Sequence, residues 1–174
     1  MTSDKHKITL LVSTYNWPEA LGLVLHSLSW QTMLPDEVVI ADDGSTADTA
    51  ELIKRVASQL PVPVKHVWQE DKGFRKSLIL NKAVKAASGD YIIQIDGDIV
   101  MERHFIADHA AVMARGRFVR GNRAYLSERL TREWTECYKR GELATVHVPP
   151  PKGEYVKSNS QRNMAYYRLL YLLT

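Results

Sequence analysis

The chain has 174 residues, 45% of them hydrophobic and 25% charged, so it can bury a sizeable core and is not a disordered polypeptide. A net charge of +3 is too small to indicate a nucleic-acid-binding protein by itself. No apolar run approaches the roughly 20 residues that a membrane-spanning helix needs. The single Cys137 cannot form an internal disulfide, which favours a reducing, cytoplasmic location.

Apolar runs typical of strands alternate with segments of helical periodicity in the first half of the chain. Strands are predicted at residues 8–13, 37–41, 64–69 and 91–95. The helices between them are predicted from apolar stripes, which comprise Leu21, Val24, Leu25 and Leu28, then Leu52, Ile53, Val56 and Leu60, then Leu80, Ala83, Val84 and Ala87. Asn16 is expected to cap the first of these helices and Gly89 to terminate the third.

The nearly unbroken β-branched runs indicate strands that are buried on both faces. The predicted fold class is therefore α/β, with a mainly parallel sheet flanked by helices. We expect residues 1–174 to form a single domain. Beyond residue 114 the pattern predicts a strand at 118–126 and a helix at 127–140 capped by Ser127, and 163–173 is compatible with a strand followed by a helix.

Two carboxylates, Asp96 and Asp98, follow the last of the four predicted strands and are separated by Gly97. Side chains two residues apart in extended backbone point to the same side, and the glycine lets a ligand approach the backbone. Such a pair suits Mg or Mn shared with phosphate oxygens. The alternative is a solvated turn with no ligand.

Two further polar clusters follow predicted strands, and they comprise residues 13–16 and 42–45. The carboxyl ends of parallel strands meet at one edge of a sheet, so all three clusters are expected to share that edge. Asp42 and Asp43 either form a simple turn, with Ser45 or Asp48 capping the next helix, or accept hydrogen bonds from a ribose or a base. Thr14 and Tyr15 would offer hydroxyls and a ring face to that base.

A charged segment follows the third predicted strand. Lys72, Arg75 and Lys76 surround Gly73 near the same edge, where cations could meet a pyrophosphate. Asn81, on the following helix, would face the same cleft. The alternative is an ordinary solvated turn.

Several common sites are disfavoured. The chain has neither a Gly-x-x-x-x-Gly-Lys phosphate loop nor a Gly-x-Gly-x-x-Gly dinucleotide motif. His104 and His109 are five residues apart and fall on different helix faces, so zinc is not expected. A cluster of arginines is interpreted as a solvated face, and the alternative is a surface that meets an anionic acceptor or a membrane. It comprises Arg115, Arg117, Arg120, Arg123, Arg129 and Arg132.

The combination of motifs resembles the family 2 glycosyltransferases of GT-A fold. The resemblance rests on residues 13–16, 41–46, 89–92 and 96–98 in their order and spacing over roughly the first 125 residues. Residues 70–75 with Asn81 resemble the bacterial polysaccharide-forming branch, including chondroitin-polymerase-like modules. Residues 163–168 are similar to the family segment that precedes the acceptor-side motif.

The resemblance implies a Rossmann-like GT-A fold and an inverting transfer of sugar from a UDP-sugar donor to a saccharide or lipid-linked acceptor, with Mn or Mg as cofactor. It implies Asp96 and Asp98 as metal ligands. It implies a nucleotide-binding set of Thr14, Tyr15, Asn16, Asp42, Asp43, Lys72, Arg75, Asn81, Asp96 and Gly97. No nucleic-acid partner is expected, and the protein would work in the cytoplasm or at the inner face of the membrane.

The family places an acidic general base after the segment that residues 163–168 resemble, so we expect that base beyond Thr174 and expect the chain to be truncated. The apolar stretch at 169–173 would then favour self-association. Two alternatives stay open from the residues alone. One is a non-catalytic nucleotide-sugar-binding module, and the other is a metal-dependent nucleotidyltransferase.

Overall fold

The computed structural model describes residues 6–116, 118–121, 123–142, 155–157 and 170–172. Two compact units share the chain. The first comprises Met1–Pro18 and Leu34–Gly97, and the second comprises Glu19–Met33 and Asp98–Thr174. The prediction of a single domain over 1–174 stays a prediction.

The first unit is built on a parallel sheet of four strands in the order β3-β2-β1-β4. The strands are β1 (Ile8–Thr14), β2 (Glu37–Asp42), β3 (Val64–Trp68) and β4 (Tyr91–Asp96). Every residue of the two central strands is buried, whereas the edge strands β3 and β4 are partly exposed. The predicted strands, their parallel arrangement and the α/β fold class are therefore confirmed.

Two helices of the first unit follow β2 and β3, and they are α2 (Ala47–Ala57) and α3 (Lys76–Ala86). One face of the sheet packs against α3 through a cluster of buried side chains that comprises Leu11, Val39, Ala41, Ile79 and Ala83. The predicted stripe on α3 is therefore only partly right, since Ile79 faces the core and Val84 is 47% exposed.

Gly89 does not terminate α3 as predicted. The helix ends at Ala86, with Ala87 as its C-cap. Gly89 instead lies against β1, where its N–H donates to Thr9 Oγ1 and an added Cβ would come within 2.8 Å of the Lys7 carbonyl oxygen. The glycine is needed for close backbone approach and not for a helix cap.

The second unit contains most of α1 (Pro18–His26), a 3₁₀ turn at Ser27–Trp30, and two further helices, α4 (Phe105–Val112) and α5 (Glu128–Arg140). The predicted stripe Leu21, Val24, Leu25 and Leu28 is fully buried. Gly22 lets α1 pack closely on α5, because an added Cβ would lie 2.2 Å from the Tyr138 ring. The side chain of Ser127 caps α5 by accepting from Leu130 N–H at 3.2 Å, as predicted.

A second sheet has the order β5-β8-β6-β7, with β5 (Ile99–Val100), β6 (Arg123–Leu126), β7 (Tyr155–Lys157) and β8 (Leu170–Leu172). The strand predicted at 118–126 is shorter than expected, because only β6 pairs with neighbours and Phe118 is 90% exposed outside any strand. Leu170–Leu172 is a strand, so it does not form the helix that the pattern allowed at that end. The remainder of 163–173, including the segment 163–168, lies outside the described residues.

In the part of the chain that the structure describes, no helix combines the length and the apolar character required to cross a bilayer.

Candidate functional site

The three predicted polar clusters end neighbouring strands at one edge of the first sheet. The register pairs Thr14 with Asp42 and Ser13 with Asp96, so the last residues of β1, β2 and β4 lie side by side. Parallel topology alone brings them together, since the carboxyl ends of the strands share one edge. The predicted convergence is therefore confirmed.

Asp42 is completely buried, with an exposed fraction of 0%, and both of its carboxylate oxygens have partners. Oδ1 accepts from the backbone N–H of Ser45 at 2.8 Å, and Oδ2 lies 2.9 Å from Nε2 of His66. Burial, the largest influence, raises the pKa of Asp42. The hydrogen bonds from His66 and Ser45 outweigh it and hold the pKa below its ordinary value. Asp42 is therefore a buried, ionised acceptor.

Asp43 turns away from its neighbour and binds a different segment. Its Oδ1 accepts from Nε2 of Gln69 at 2.5 Å, and its Oδ2 accepts from the backbone N–H of Arg75 at 2.8 Å. Side chains alternate along a strand, and Ala41 packs on the face covered by α3, so Asp42 belongs to the opposite face. Each acid thus has its own donors.

The loops after β1 and β2 are joined by two hydrogen bonds. The backbone N–H of Asn16 donates to Ser45 Oγ, and the backbone N–H of Thr46 donates to Asn16 Oδ1, both at 2.9 Å. Asn16 holds a left-handed φ of +46° to do so. The Asn16 side chain is thus used at the start of α2. Neither Ser45 nor Asp48 caps that helix, as the simple-turn alternative required, because its N-cap is Thr46, without a side-chain cap bond.

Tyr15 presents an exposed ring at the same edge, with an exposed fraction of 53%. Its hydroxyl donates to Asp71 Oδ2 at 3.0 Å, and Asp71 Oδ1 accepts from the backbone N–H of Gly73 at 3.0 Å. Gly44, with φ of +101°, lies so close that an added Cβ would be 2.6 Å from the Asp71 Cα. Tyr15 is therefore oriented by the loop that follows β3.

Asp96, at the end of β4, contacts a hydroxyl and an ammonium group. Ser13 Oγ donates to Asp96 Oδ1 at 2.8 Å, and the Lys76 ammonium forms an ion pair with the same oxygen. The side chain of Asp96 is 37% exposed, so a ligand can reach it. The backbone N–H of Gly97 donates to the Ser13 carbonyl at 2.7 Å, and an added Cβ at position 97 would lie 2.8 Å from that oxygen. Asp98 follows in the turn between β4 and β5.

Among the other predicted basic and polar residues that the structure describes, only Arg75 is hydrogen-bonded to the acids at this edge. Lys72 is exposed and pairs with Glu70 at 2.8 Å. Arg75 reaches the group through its backbone, while its guanidinium donates to the Glu70 carbonyl. Asn81 is exposed on α3 and lies outside the hydrogen-bonded cluster of the described residues.

The described arginines of the predicted basic cluster lie at the surface of the second unit. Arg129 pairs with Glu133 and Arg132 with Glu128, each one helical turn apart on exposed α5 positions. Such pairs are worth little individually and are typical of a solvated helix face. Arg117 lies outside the described residues. In the described part of the chain, no cluster of three or more His, Cys, Asp or Glu side chains is placed to hold a metal.

His66 and Gln69 were missed by sequence reasoning, although each binds one of the two adjacent acids. A signal for His66 existed. It pairs with Ile40 in the register of β2 and β3, and therefore shares a sheet face with Asp42 two residues further on. No local pattern marks Gln69, because it acts from the loop after β3.

A sequence model of glycosyl transferase family 2 matches residues 9–167. The chain belongs to this family. It is 32% identical over 98 residues to an uncharacterized glycosyltransferase of Nostoc sp., which covers 56% of this chain and 30% of the relative. It is 30% identical over 105 residues to the hyaluronan synthase of Pasteurella multocida, and the match covers 60% of this chain and 11% of that protein. It is 28% identical over 108 residues to the chondroitin synthase of Escherichia coli, covering 62% and 16%.

The family 2 chain thus has polysaccharide synthases among its relatives, and it spans less than a third of the length of each of these three proteins. Among solved structures, S. aureus TarS matches with a TM-score of 0.53 and 26% identity over 70% of this chain and 21% of that one. A mannosyltransferase from Pyrobaculum calidifontis matches with a TM-score of 0.56 and 23% identity, over 77% and 39%. The GT-A fold is therefore confirmed.

Proposed function

We propose that this family 2 chain binds a nucleoside-diphosphate sugar, most simply a UDP-sugar, and donates the sugar to a saccharide or lipid-linked acceptor in polysaccharide synthesis. The observation that carries the proposal is the sheet register, which sets Thr14 beside Asp42 and Ser13 beside Asp96 at one edge. TarS supports the choice of nucleotide, since it has been solved with UDP and with UDP-GlcNAc at 26% identity to this chain.

The nucleoside would lie against the edge formed by the loops after β1 and β2. Tyr15 offers an exposed ring on which a base can stack, and Thr14 and Asn16 adjoin it. Asp43 lies near the same edge with ionic oxygens that can accept from a base or ribose. Asp42 is fully buried, so its part in binding would be indirect.

The diphosphate would lie near Asp96, where Lys76 already supplies a positive charge and Lys72 and Arg75 follow β3 closely in the chain. Lysine and arginine side chains are common phosphate partners. Gly97 fixes the turn beside Asp96 closely against β1, because its N–H donates to the Ser13 carbonyl and an added Cβ would lie 2.8 Å from that oxygen. Asn81 would contribute from the outer part of α3.

The residues fit a divalent cation. Asp96 and Asp98 supply two hard oxygen donors on either side of one glycine. Mg and Mn are commonly held by one or two carboxylates, with water and substrate phosphates in the other positions, so two protein ligands suffice. Such a cation would neutralise charge on the leaving diphosphate.

The reaction would be a displacement at the anomeric carbon of the donor. The bond from that carbon to the diphosphate oxygen breaks with its electron pair, a new bond forms to the acceptor hydroxyl oxygen, and the hydroxyl proton passes to a general base. Attack from the face opposite the leaving group inverts the configuration. The ammonium of Lys76 would stabilise the charge that develops on the diphosphate.

Calorimetric titration with UDP tests the proposal. Wild-type protein should bind UDP in the presence of Mn, and excess chelator should weaken binding. Asp98→Asn should lose at least about tenfold of the Mn-dependent affinity, because even groups behind a metal ligand contribute about 10–100-fold. Asp48→Asn, an exposed acid on α2, is the matched control and should bind like wild type. Equal UDP binding with and without chelator would refute the role of the cation.

A further inference from the structure

A pair formed by His66 and Asp42 joins a partly solvent-exposed imidazole on β3 to a fully buried carboxylate. Asp42 has no exposed surface, and His66 on the edge strand β3 is its side-chain partner, at 2.9 Å. With Asp42 ionised, the Nε2–H of His66 donates to Oδ2. The other oxygen of the carboxylate holds the backbone N–H of Ser45. The carboxylate therefore links an edge strand to the turn that follows β2.

That turn is in contact with the residues beside Tyr15. Ser45 Oγ accepts from the backbone of Asn16, and Asn16 accepts from the backbone of Thr46. Asn16 adopts its left-handed φ within this contact, so the turn and the loop after β1 constrain one another.

A second connection runs from the same turn to the Tyr15 hydroxyl. Gly44 packs directly on the backbone of Asp71, and Asp71 accepts the hydrogen bond of the Tyr15 hydroxyl. The position of the turn therefore affects Tyr15 at both ends, through Asn16 at its backbone and through Asp71 at its ring.

Removing the His66 donor would leave a buried carboxylate oxygen without its partner. An unpaired buried ionic acceptor is strongly unfavourable, so Asp42 would take up a proton or rotate toward water. Either change weakens the bond to Ser45 and loosens the turn, which is then held by Trp68 Nε1 at the Ser45 carbonyl and by Asn16. The residues proposed to meet the diphosphate do not depend on this pair, since Ser13 and Lys76 both contact Asp96 directly.

We propose that His66 is a positioning residue for nucleoside binding, which acts through Asp42 to fix the Gly44–Thr46 turn and thereby the ring of Tyr15. The inference rests on the proposed function, since it assumes that Tyr15 receives the base of a nucleotide. It assigns Asp42 an indirect role in place of direct contact with the ligand.

Calorimetry with two probes, UDP and inorganic pyrophosphate, each with Mn, tests the inference. His66→Leu should weaken UDP binding about tenfold or more, as expected for loss of a hydrogen bond to a charged group, and should leave pyrophosphate binding within about twofold. His66→Gln should restore UDP binding, because its Nε2 can donate from a similar position. A general loss of structure would weaken both probes and would not be rescued.

His6 supplies the matched control. It also pairs with an aspartate, since His6 Nδ1 lies 2.6 Å from Asp90 Oδ2, but this pair is exposed and precedes β1 and β4 at the opposite end of the sheet. His6→Leu should leave both probes unchanged. Should His66→Leu not fold, His66→Asn takes its place, because its shorter side chain does not reach Asp42.

The outcomes separate the two proposals. If wild type binds UDP but the His66 variants bind it equally well, or lose UDP and pyrophosphate together, the positioning role is wrong and the proposed function stands. If wild type binds no UDP, both fail.

Discussion

Two adjacent buried aspartates coexist at the end of β2 because they point to different donors. Asp42 accepts hydrogen bonds from His66 and a backbone N–H, and Asp43 accepts from Gln69 and the backbone N–H of Arg75. These separate sets of donors offset the cost of placing two carboxylates side by side in a buried position. Each aspartate therefore also fixes a loop: Asp42 fixes the turn after β2, and Asp43 fixes the segment after β3.

Gly44 should be among the least replaceable residues of the first unit. Gly44→Ala combines a φ of +101° with a Cβ 2.6 Å from the Asp71 backbone, so both strain and collision oppose it. We expect an unfolding free energy lower by more than the roughly 1–2 kcal/mol that a left-handed residue costs, together with weaker UDP binding. Urea denaturation measures the first and calorimetry the second.

Gly73 separates the two causes. Its φ of +81° is also left-handed, but nothing lies within 4 Å of an added Cβ. Gly73→Ala should therefore show the strain alone. Equal destabilisation by the two substitutions would contradict a steric role for Gly44.

At the scale of elements, Glu37 ties four segments together at the end of the sheet opposite the candidate site. It is the first residue of β2 and is buried. Its Oε1 accepts from Thr9 Oγ1 on β1 at 2.7 Å and from the backbone of Ser88 after α3, and its Oε2 pairs with Lys65 on β3 at 2.8 Å. One carboxylate thus connects β1, β2, β3 and the segment after α3 at this end of the sheet.

Glu37 should make stability depend on pH. Burial, the largest influence, raises its pKa, but hydrogen bonds from Lys65, Ser88 and Thr9 outweigh it and bring the pKa to about 2, from 4.5. Because the folded pKa is depressed, this stabilisation is complete above pH 4.5 and is lost as the pH falls toward 2. The loss should be on the order of 1–3 kcal/mol, since Lys65 is partly exposed.

Urea denaturation between pH 3 and pH 7 measures this dependence. Glu37→Gln should be less stable than wild type at neutral pH, and the difference should shrink toward pH 3. Glu51→Gln, an exposed change on α2, should follow the wild-type curve. A constant difference between Glu37→Gln and wild type would contradict the ionic role.

The sheet and the edge at which the three polar clusters meet could be predicted because both follow from local patterns. Apolar runs located all four strands, and parallel topology then required the segments around Asp42 and Asp96 to meet. What could not be predicted depends on distant partners. Asn16 carries the residue type of a helix cap, but which helix it serves depends on where the turn after β2 lies. The short β5 and the helix α4 had no predicted counterpart, since neither shows a strong period.

At the scale of the whole molecule, binding of UDP with Mn should raise the thermal stability of the protein. The first unit is built from residues 1–18 and 34–97, so a nucleotide bound to it stabilises two separate stretches of chain at once. UDP with Mn at about 100 times its dissociation constant adds about 2.7 kcal/mol to the stability of the folded state. For a chain of this size we expect a rise in Tm of about 5–10 °C.

Differential scanning calorimetry measures that rise. Asp98→Asn should show a smaller shift than wild type at the same concentrations of UDP and Mn, and Asp48→Asn should show the full shift. A shift of equal size in Asp98→Asn would contradict its role as a metal ligand.

The central position of β1 has a consequence for the order of folding. Thr9 meets Glu37 on β2 across 28 residues, whereas Ser13 meets Asp96 on β4 across 83 residues. Closing the longer loop costs about 1 kcal/mol more in chain entropy. Pairing of β4 with β1 is therefore more favourable once β1 and β2 have already paired. We therefore expect β4 to dock last, so that Asp96 reaches the edge of the sheet only when the rest of the first unit has already formed.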